Sequence, residues 1–326
     1  MSKKISHTLV GGRTVAGTGG QGLKIGSKGR LYWLDVDEVT LLPWTFQGSN
    51  YGYSIGGDGS ANNIEKFTFA SAGNASNVAD LTRSVNSIAG TSSADHGYSV
   101  GGASSNVIDR FPFASDTNAS DVGDLTGTRG NLVGSSDEDY GYVAGGTGNS
   151  NVIERFANAS SGNSADVGDI TVGRANAAGC SSATHGFTAG GDAGATVPNV
   201  IDKYAFVSSG NSVDWGDISG NRSGGAGASD EDYGYVAGGT GGSGYVNIIE
   251  RFPFASSAGT SDVGDLTGNI TWGSGVSSTT NGYKCGGHPN GSTIAQIDNY
   301  SLASSASGAD WGDLSVAAKY NAGCQY

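Results

Sequence analysis

The chain has 326 residues, of which 58 are glycine and only 5 are proline, and its formal net charge at pH 7 is −13. Glycine does not occupy every third position, which excludes collagen, and 14 Tyr, 10 Phe and 5 Trp recur in register, which excludes a disordered chain. A strongly acidic surface repels phosphate, so nucleic-acid binding is not expected. No stretch approaches the roughly 18 consecutive apolar residues of a membrane span, so we expect a soluble protein without membrane insertion.

Residues 1–43 differ from the rest of the chain in charge and composition. They contain six basic and three acidic residues, a balance of +3, so the remainder carries −16. The first residues lack the apolar core of a signal peptide, and the segment is too short to build its own hydrophobic core. We therefore predict an extended N-terminal arm that anchors the protein on a partner, although the same charges also suit a solubilising tail. The candidate anchoring residues are Arg13, Lys24, Lys28, Arg30, Tyr32 and Trp33.

Residues 44–326 contain six copies of one repeat. A tetrad of the form I-[DE]-[KR]-[FY] is followed 37 residues later by a Gly-Gly pair, as from Ile64 to Gly101, and this interval occurs five times. The return from each Gly-Gly pair to the next tetrad varies between 6 and 10 residues. A fixed interval indicates a packed unit and a variable one indicates an exposed loop, so the length variation should lie on one face.

Each copy is predicted to form four strands, which are clearest in the second copy. Segments 86–93 and 96–102 are rich in small residues and suit the crowded centre of a ring. Segment 106–115 alternates in hydrophobicity, and segment 121–126 is short and acidic, as expected of an outer edge strand. Four-stranded units of about 45 residues are typical of a β-propeller. We therefore predict an all-β, six-bladed propeller over residues 44–326.

The C-terminus predicts how the ring closes. The final segment, "YNAGCQY" at 320–326, matches the first-strand segment "NAAGCSS" at 176–182. It therefore supplies one inner strand, which we expect to complete the first blade beside "YGYSIGG" at 51–57. The competing segment is "WTFQGSN" at 44–50, which has the right register but bulky residues where small ones recur elsewhere.

The tetrads carry repeated acid–base pairs. Neighbouring residues in a strand point to opposite faces, so the two charges of a pair reach different partners. A catalytic site needs one asymmetric constellation, and six similar copies instead favour structural bracing between blades. The pairs are Glu65–Lys66, Asp109–Arg110, Glu154–Arg155, Asp202–Lys203 and Glu250–Arg251, with Asp298–Asn299 as the sixth copy.

The outer strands carry the motif D-[VW]-G-D-[LI]. Two carboxylates three residues apart in a glycine turn could hold Ca²⁺, but the motif lacks the alternating oxygens and the bidentate Glu of a calcium loop. Capping of the turn by Asx-type hydrogen bonds is the favoured interpretation. The motif copies are Asp121/Asp124, Asp166/Asp169, Asp214/Asp217, Asp262/Asp265 and Asp310/Asp313, preceded by Asn77/Asp80.

No sequence motif indicates catalysis or a resident metal. The four His residues show no metal-ligand spacing, and there is no Cys-x-x-Cys, P-loop, nucleophile elbow or H-E-x-x-H. The three Cys residues are expected to be small, buried and reduced. We therefore predict a non-enzymatic protein without a cofactor, with a propeller glycosidase as the weaker alternative.

The longer variable loops are the candidate binding surface. Segments 192–199, 240–247 and 288–296 lie on three consecutive copies. Loops held by a rigid scaffold are where binding sites are usually built, although unselected drift of the loops would give the same pattern. The candidate contact residues for a sugar or a protein are Tyr245, Asn247, His288 and Asn290.

The repeats resemble kelch-like repeat proteins of marine bacteriophages, especially cyanobacterial phages. The resemblance is carried by "NVIDRFPFAS", "DVGDLT" and "GYVAGG", notably at 106–126, 151–171 and 247–267, and covers about 44–326. The chain matches the general kelch pattern at the Gly-Gly pair but lacks its regular Tyr…Trp pair, so ordinary kelch biology does not follow.

This resemblance implies a structural protein of the virion, made in the host cytoplasm and displayed on the tail or capsid. The implied partners are other virion proteins, reached through residues 1–43, and a host-surface glycan or receptor. Capsid decoration without adhesion is one alternative, and a cellular kelch-like interaction scaffold is another.

Overall fold

The computed structural model describes residues 48–58, 62–242 and 244–325, together with five short strands nearer the N-terminus. Every regular element formed by these residues is a β-strand, so the described part of the chain holds no helix able to cross a membrane. The chain divides into two compact units, Met1–Thr45 and Phe46–Tyr326.

The first unit contains two small antiparallel sheets, ordered β1-β2-β5 and β3-β4. Its strands are β1 Thr8–Val10, β2 Arg13–Ala16, β3 Leu23–Ile25, β4 Leu31–Trp33 and β5 Thr40–Leu41. Among the predicted anchoring residues, Arg13, Lys24, Tyr32 and Trp33 belong to these strands. Lys28 and Arg30 lie outside the described residues.

The second unit is a six-bladed β-propeller, as predicted, and each blade is an antiparallel sheet of inner, second, third and outer strands. The inner strands are β9 Ala89–Ser92, β13 Val133–Ser136, β17 Ala178–Ser181, β22 Ala226–Ser229, β26 Ser274–Ser277 and β30 Ala322–Gln325. The second strands are β6 Tyr51–Ile55, β10 His96–Val100, β14 Tyr140–Ala144, β18 His185–Ala189, β23 Tyr233–Gly241 and β27 Asn281–Gly287. A two-residue strand, β21 Arg222–Ser223, also pairs with β23.

The third and outer strands complete each blade. The third strands are β7 Asn63–Thr68, β11 Val107–Pro112, β15 Val152–Ala157, β19 Val200–Ala205, β24 Gly244–Pro253 and β28 Ile294–Ser301. The outer strands are β8 Ser76–Asp80, β12 Ser120–Asp124, β16 Ala165–Asp169, β20 Val213–Asp217, β25 Ser261–Asp265 and β29 Ala309–Asp313. A bulge interrupts each pairing of a third strand with its outer strand, as between Ile108 and Asp109.

The C-terminal strand closes the ring. Strand β30 pairs with β6 in the register Ala322↔Ile55 to Gln325↔Gly52 and so supplies the inner strand of blade 1. The predicted C-terminal closure is therefore confirmed. In the competing segment, the N–H of Gly48 donates to the carbonyl of Ser277 at 2.9 Å, which places it against the inner strand of blade 6.

Glycine is required where the inner strands meet at the channel. Each inner strand carries one glycine whose added Cβ would overlap the backbone of the neighbouring inner strand, as Gly134 would overlap the carbonyl of Gly90. The small residues of the predicted first strands therefore follow from the approach of six backbones around one axis. The six positions are Gly90, Gly134, Gly179, Gly227, Gly275 and Gly323.

Aromatic rings hold adjacent blades together. A ring on each second strand packs against a ring on the third strand of a neighbouring blade, with centroid separations of 5.3 to 6.3 Å. Burial of such rings contributes most of the stability of an interface of this kind. The pairs are Tyr53–Phe111, Tyr98–Phe156, Tyr142–Tyr204, Phe187–Phe252, Tyr235–Tyr300 and Tyr283–Phe67.

The buried acid of each tetrad clamps one blade to the preceding blade. Asp109 of blade 2, for example, accepts hydrogen bonds from the N–H and Oγ1 of Thr82, which follows the outer strand of blade 1. Ser315, after the outer strand of blade 6, binds Glu65 of blade 1 in the same way at 2.6 and 2.8 Å. These contacts are the predicted bracing between blades for the acids of the tetrads. The bases do not share it throughout, since Arg155 lies over the Tyr140 ring of its own blade.

An arginine completes the clamp in four blades. Arg174 is fully buried, and its guanidinium lies 2.6 Å from a carboxylate oxygen of Asp202. Because a buried charge is costly unless it is paired, loss of one partner of such a pair should be strongly destabilising. The four pairs are Arg83–Asp109, Arg129–Glu154, Arg174–Asp202 and Arg222–Glu250.

The acidic turns of the outer strands are capped by their own side chains. In four copies the first Asp accepts the N–H of the Gly two residues later at 3.0 to 3.1 Å, as Asp121 does from Gly123. This is the predicted Asx-type capping. Backbone hydrogen bonds also join neighbouring outer strands, as from Ala119 to Asp80 at 2.8 Å, so these strands do not present a free edge.

Candidate ligand-binding site at the channel mouth

The connections from second to third strands and from outer to inner strands lie at one end of the channel, which we call the loop face. Six equivalent residues, each three positions before the inner-strand glycine, form the rim of the channel there. All six have positive φ, between 54° and 69°. The N–H of each donates to the carbonyl of its neighbour at 2.7 to 3.1 Å, which closes a ring of six hydrogen bonds. The rim residues are Ser87, Asn131, Asn176, Gly224, Trp272 and Tyr320.

Two bulky residues hold an unfavourable backbone conformation on this rim. Gly and Asn tolerate the left-handed region, which suits Asn131, Asn176 and Gly224. Trp272 has a φ of 58° and Tyr320 a φ of 55°, which for ordinary L residues costs about 1–2 kcal/mol each. Strain of this kind persists where the surroundings enforce it and is concentrated at functional sites.

The two strained residues belong to a cluster of four rings, Tyr245, Trp272, His288 and Tyr320, which we call the aromatic cluster. The ring of Trp272 lies 5.0 Å from that of Tyr320 and 5.6 Å from that of His288, with interplanar angles of 31° and 30°. Tyr245 meets Trp272 and His288 edge-on at 6.2 and 6.1 Å. The Lys319 ammonium lies 5.5 Å from the Tyr320 ring, which adds a cation–π contact.

Neighbouring backbone sets the position of each ring. A bridge between Thr271 and His288 places the histidine beside Trp272. Tyr245 lies in the hairpin of β23 and β24, so the predicted loop 240–247 is largely paired strand. A Cβ on Gly224 would collide with the indole of Trp272, so the glycine in blade 5 makes room for the tryptophan of blade 6.

The electrostatics of the cluster centre on Asp58. The backbone N–H of Asp58 donates to the carbonyl of Lys319 at 2.9 Å, and the Asp58 carboxylate accepts a hydrogen bond from the side-chain amide of Asn86. Burial, with the charge of Asp58 and the nearby Tyr245, raises the pKa of the Tyr320 hydroxyl above its usual range. Tyr320 is therefore a neutral hydrogen-bonding group at physiological pH.

The mouth of the channel is a shallow, uncharged cavity of about 80 Å³. This volume is well below the roughly 300–1,000 Å³ of pockets that enclose a small molecule, so a ligand would rest on the mouth. Among the described residues that line it, none carries a charge. The lining residues include Trp272, Tyr320, Asn131 and Asn176. Asn321 also lines the mouth, but its side-chain amide is buried and donates to Ser54, Ser274 and the carbonyl of Cys285.

Several polar groups at the mouth are free to bind. Within the described part of the chain, the side-chain amides of Asn131 and Asn176 and the indole N–H of Trp272 have no hydrogen-bond partner. The Nδ1 of His288 also has none among these residues, but it is buried and His288 does not line the mouth. The arrangement can therefore offer ring faces and neutral hydrogen-bonding groups to one ligand.

Two of the four residues predicted from the loops belong to this cluster. Tyr245 and His288 come together there. Asn247 instead joins two strands of its own blade, since its carbonyl accepts the N–H of Leu266 at 2.7 Å. Asn290 is exposed in the turn after His288.

Sequence reasoning missed Trp272 and Tyr320. Alignment of the six copies on the inner-strand glycine is the signal that could have found them. Three residues before that glycine, the other copies have Ser, Asn or Gly, and these two copies have large aromatic residues.

The rest of the described structure offers no cluster of metal ligands, since no group of three His, Cys, Asp or Glu side chains converges within it. Burial raises the pKa of the thiols of Cys180, Cys285 and Cys324 to about 12, so none of the three is a thiolate at neutral pH. No protein-family model matches the chain, and no curated protein is similar enough to be matched. The propeller fold itself is compatible with a protein-interaction scaffold.

Proposed function

We propose that this protein is a non-enzymatic propeller on the surface of a phage particle, held by residues 1–43 and binding an external partner through the aromatic cluster. The observation that carries the proposal is the asymmetry of the rim. Four of six equivalent positions are small or polar, and two carry strained aromatic rings that contact one another. Strained residues are concentrated at functional sites, so two of them in mutual contact support a binding role for this part of the rim.

The course of the chain supports an outward-facing cluster. Gly48 is hydrogen-bonded to Ser277, at the end of an inner strand furthest from the rim. The carbonyl of Asn50 accepts the N–H of Phe69, in the turn between a third and an outer strand, at 3.1 Å. Residues 48–50 therefore lie at the end of the propeller opposite to the loop face.

The use of the buried acids supports a non-enzymatic role. The acids of the six tetrads are engaged in clamps between blades, as Asp109 is with Thr82 and Arg83. General acid–base catalysis needs a titratable group within reach of a substrate. Among the described residues that line the channel mouth, no carboxyl group is present.

The virion location is supported by the resemblance of 106–126, 151–171 and 247–267 to phage repeat proteins. It is tested by antibody labelling of purified particles in electron microscopy, with protein lacking residues 1–43 as the comparison. We expect label on the tail or capsid and no label after the deletion. Label at the tail tip favours host adhesion, and a uniform capsid label favours decoration. Particles without label would overturn the proposal in favour of a cellular scaffold.

A further inference from the structure

Building on the proposed function, we infer that the channel mouth binds a neutral pyranose sugar of a surface glycan. The ligand would rest on the rings of Trp272 and Tyr320, and the amides of Asn131 and Asn176 would bind its hydroxyl groups. The inference deepens the proposal above by naming the chemical class that the site recognises.

The chemistry of a pyranose matches both halves of the mouth. One face of the sugar ring presents C–H groups, which pack on the electron-rich face of an aromatic ring. Its edge presents hydroxyl groups, which donate and accept hydrogen bonds as a side-chain amide does. Trp272 and Tyr320 lie on one side of the cavity and the two free amides on the other, since the rim order places Gly224 and Ser87 between them.

Other ligand classes fit the mouth less well. A peptide that adds to a sheet needs free backbone groups, but the N–H of every rim residue is engaged in the closed ring. A quaternary ammonium ion binds in a cage of several ring faces, whereas among the described residues that line the mouth only Trp272 and Tyr320 are aromatic. A charged sugar would find no countercharge among the described lining residues. A neutral sugar requires none of these features.

The test uses the full chain and ligand-observed saturation-transfer NMR with the methyl glycosides of glucose, galactose, mannose and N-acetylglucosamine. Two variants replace a rim residue with the one found in another blade. These are Trp272→Gly, as in blade 5, and Tyr320→Asn, as in blades 3 and 4. We expect saturable binding of at least one glycoside by the native chain and about a tenfold or greater loss in either variant, as expected when a stacked ring is removed.

Two further variants separate the site from the fold. Trp215→Val replaces an outer-strand tryptophan with the residue found at this position in blades 2, 3 and 5, and should leave binding unchanged. Gly224→Asn keeps Trp272 but displaces its indole, and should weaken binding although every ring is still present. Each variant is also checked for the native circular dichroism spectrum.

Three outcomes would overturn the inference. They are no binding of any glycoside, equal binding by Trp272→Gly, and binding of tetramethylammonium in place of the sugars. None of these outcomes depends on where the protein lies on a particle. Failure here with labelled particles would leave the proposed location standing, and sugar binding with unlabelled particles would leave the inference standing.

Discussion

Blades 3 to 5 differ from the seam between blades 6 and 1 in the residues that surround the buried acid of the tetrad. Blades 3 to 5 place an arginine two residues before the rim, as Arg174 precedes Asn176. At the seam, Ile270 and Ala318 occupy that position, and the rim residues that follow are Trp272 and Tyr320. The two rim positions with aromatic residues are therefore those that lack the clamping arginine two residues earlier. The seam thus combines the aromatic rim residues of the proposed binding site with the loss of the clamping arginine.

The seam compensates for the missing arginines in two ways. In blade 6, Lys284 is buried beside Asp298, at the position taken by Thr188 in blade 4. In blade 1, Glu65 is held by the backbone and side chain of Ser315. A buried carboxylate that accepts hydrogen bonds in this way is stabilised without a countercharge. The proposed binding site thus lies where the arginine–carboxylate pairs of the other blades are absent.

The largest expected effect comes from opening the seam altogether. Deletion of residues 322–326 removes β30 and exposes the edge of β6, with loss of the buried Ala322 and Cys324. We expect the melting temperature to fall by more than about 10 °C, which corresponds to several kcal/mol for a domain of this size. Deletion of residues 1–43, which belong to the other unit, is the control and should change it little. An unchanged melting temperature after the C-terminal deletion would show that another segment can close the ring.

The next largest effect on stability is expected when blade 4 is given the residues found at the equivalent positions of blade 6. Arg174→Ile leaves Asp202 buried without its partner, and we expect the free energy of unfolding to fall by about 3–5 kcal/mol. Addition of Thr188→Lys places a lysine opposite Asp202, as Lys284 lies opposite Asp298, and should restore part of this loss. The measurement is chemical denaturation of both single variants, the double variant and the native chain. Additive effects in this cycle would contradict the equivalence of the two clamps.

Much of the fold could be predicted because the constraints that set it are local and repeated. The fixed spacing of 37 residues indicates one packed blade. The match between "YNAGCQY" and "NAAGCSS" shows that the chain ends with an inner strand. The bracing role of the acids followed from their repetition. Each of these signals lies within one copy or between identical positions of two copies.

The site could be predicted only in part because it depends on contacts across three blades. The four residues of the aromatic cluster are far apart in sequence. Their side chains meet only because the blades of the propeller are arranged in a circle. The positive φ of the rim follows from the closed ring of hydrogen bonds, which no single copy contains. Loop length indicated Tyr245 and His288, whereas Trp272 and Tyr320 lie in segments of ordinary length.

A smaller expected effect is the pH dependence of stability that Lys284 causes and the arginines of the other blades do not. Burial lowers the pKa of Lys284 to about 7, whereas an unfolded lysine keeps its usual pKa. Between these two values the unfolded chain binds one more proton than the folded chain. The free energy of unfolding should therefore rise with pH above 7, by about 1.4 kcal/mol per pH unit from this group.

The check is thermal unfolding of the native chain and of Lys284→Thr from pH 7 to 8.5, below the range in which unfolded cysteine and tyrosine lose most of their protons. The stability of the variant relative to the native chain should decrease across this window, by about 2 kcal/mol in total. A constant difference would show that Lys284 has the same charge in the folded and unfolded chains. Arg174 offers the comparison, since an arginine stays protonated throughout this range.

The smallest expected change in stability is at the rim itself. Trp272→Gly removes ring contacts with Tyr320 and His288, but it also relieves the left-handed strain of a bulky residue, worth about 1–2 kcal/mol. We expect the two terms to offset, so that the free energy of unfolding changes by less than about 1 kcal/mol. Phe187→Ala, which removes a fully buried ring between blades, should by contrast cost about 3–5 kcal/mol. A large loss of stability in Trp272→Gly would make the tryptophan part of the scaffold, whereas a small change with loss of sugar binding is what a strained binding residue produces.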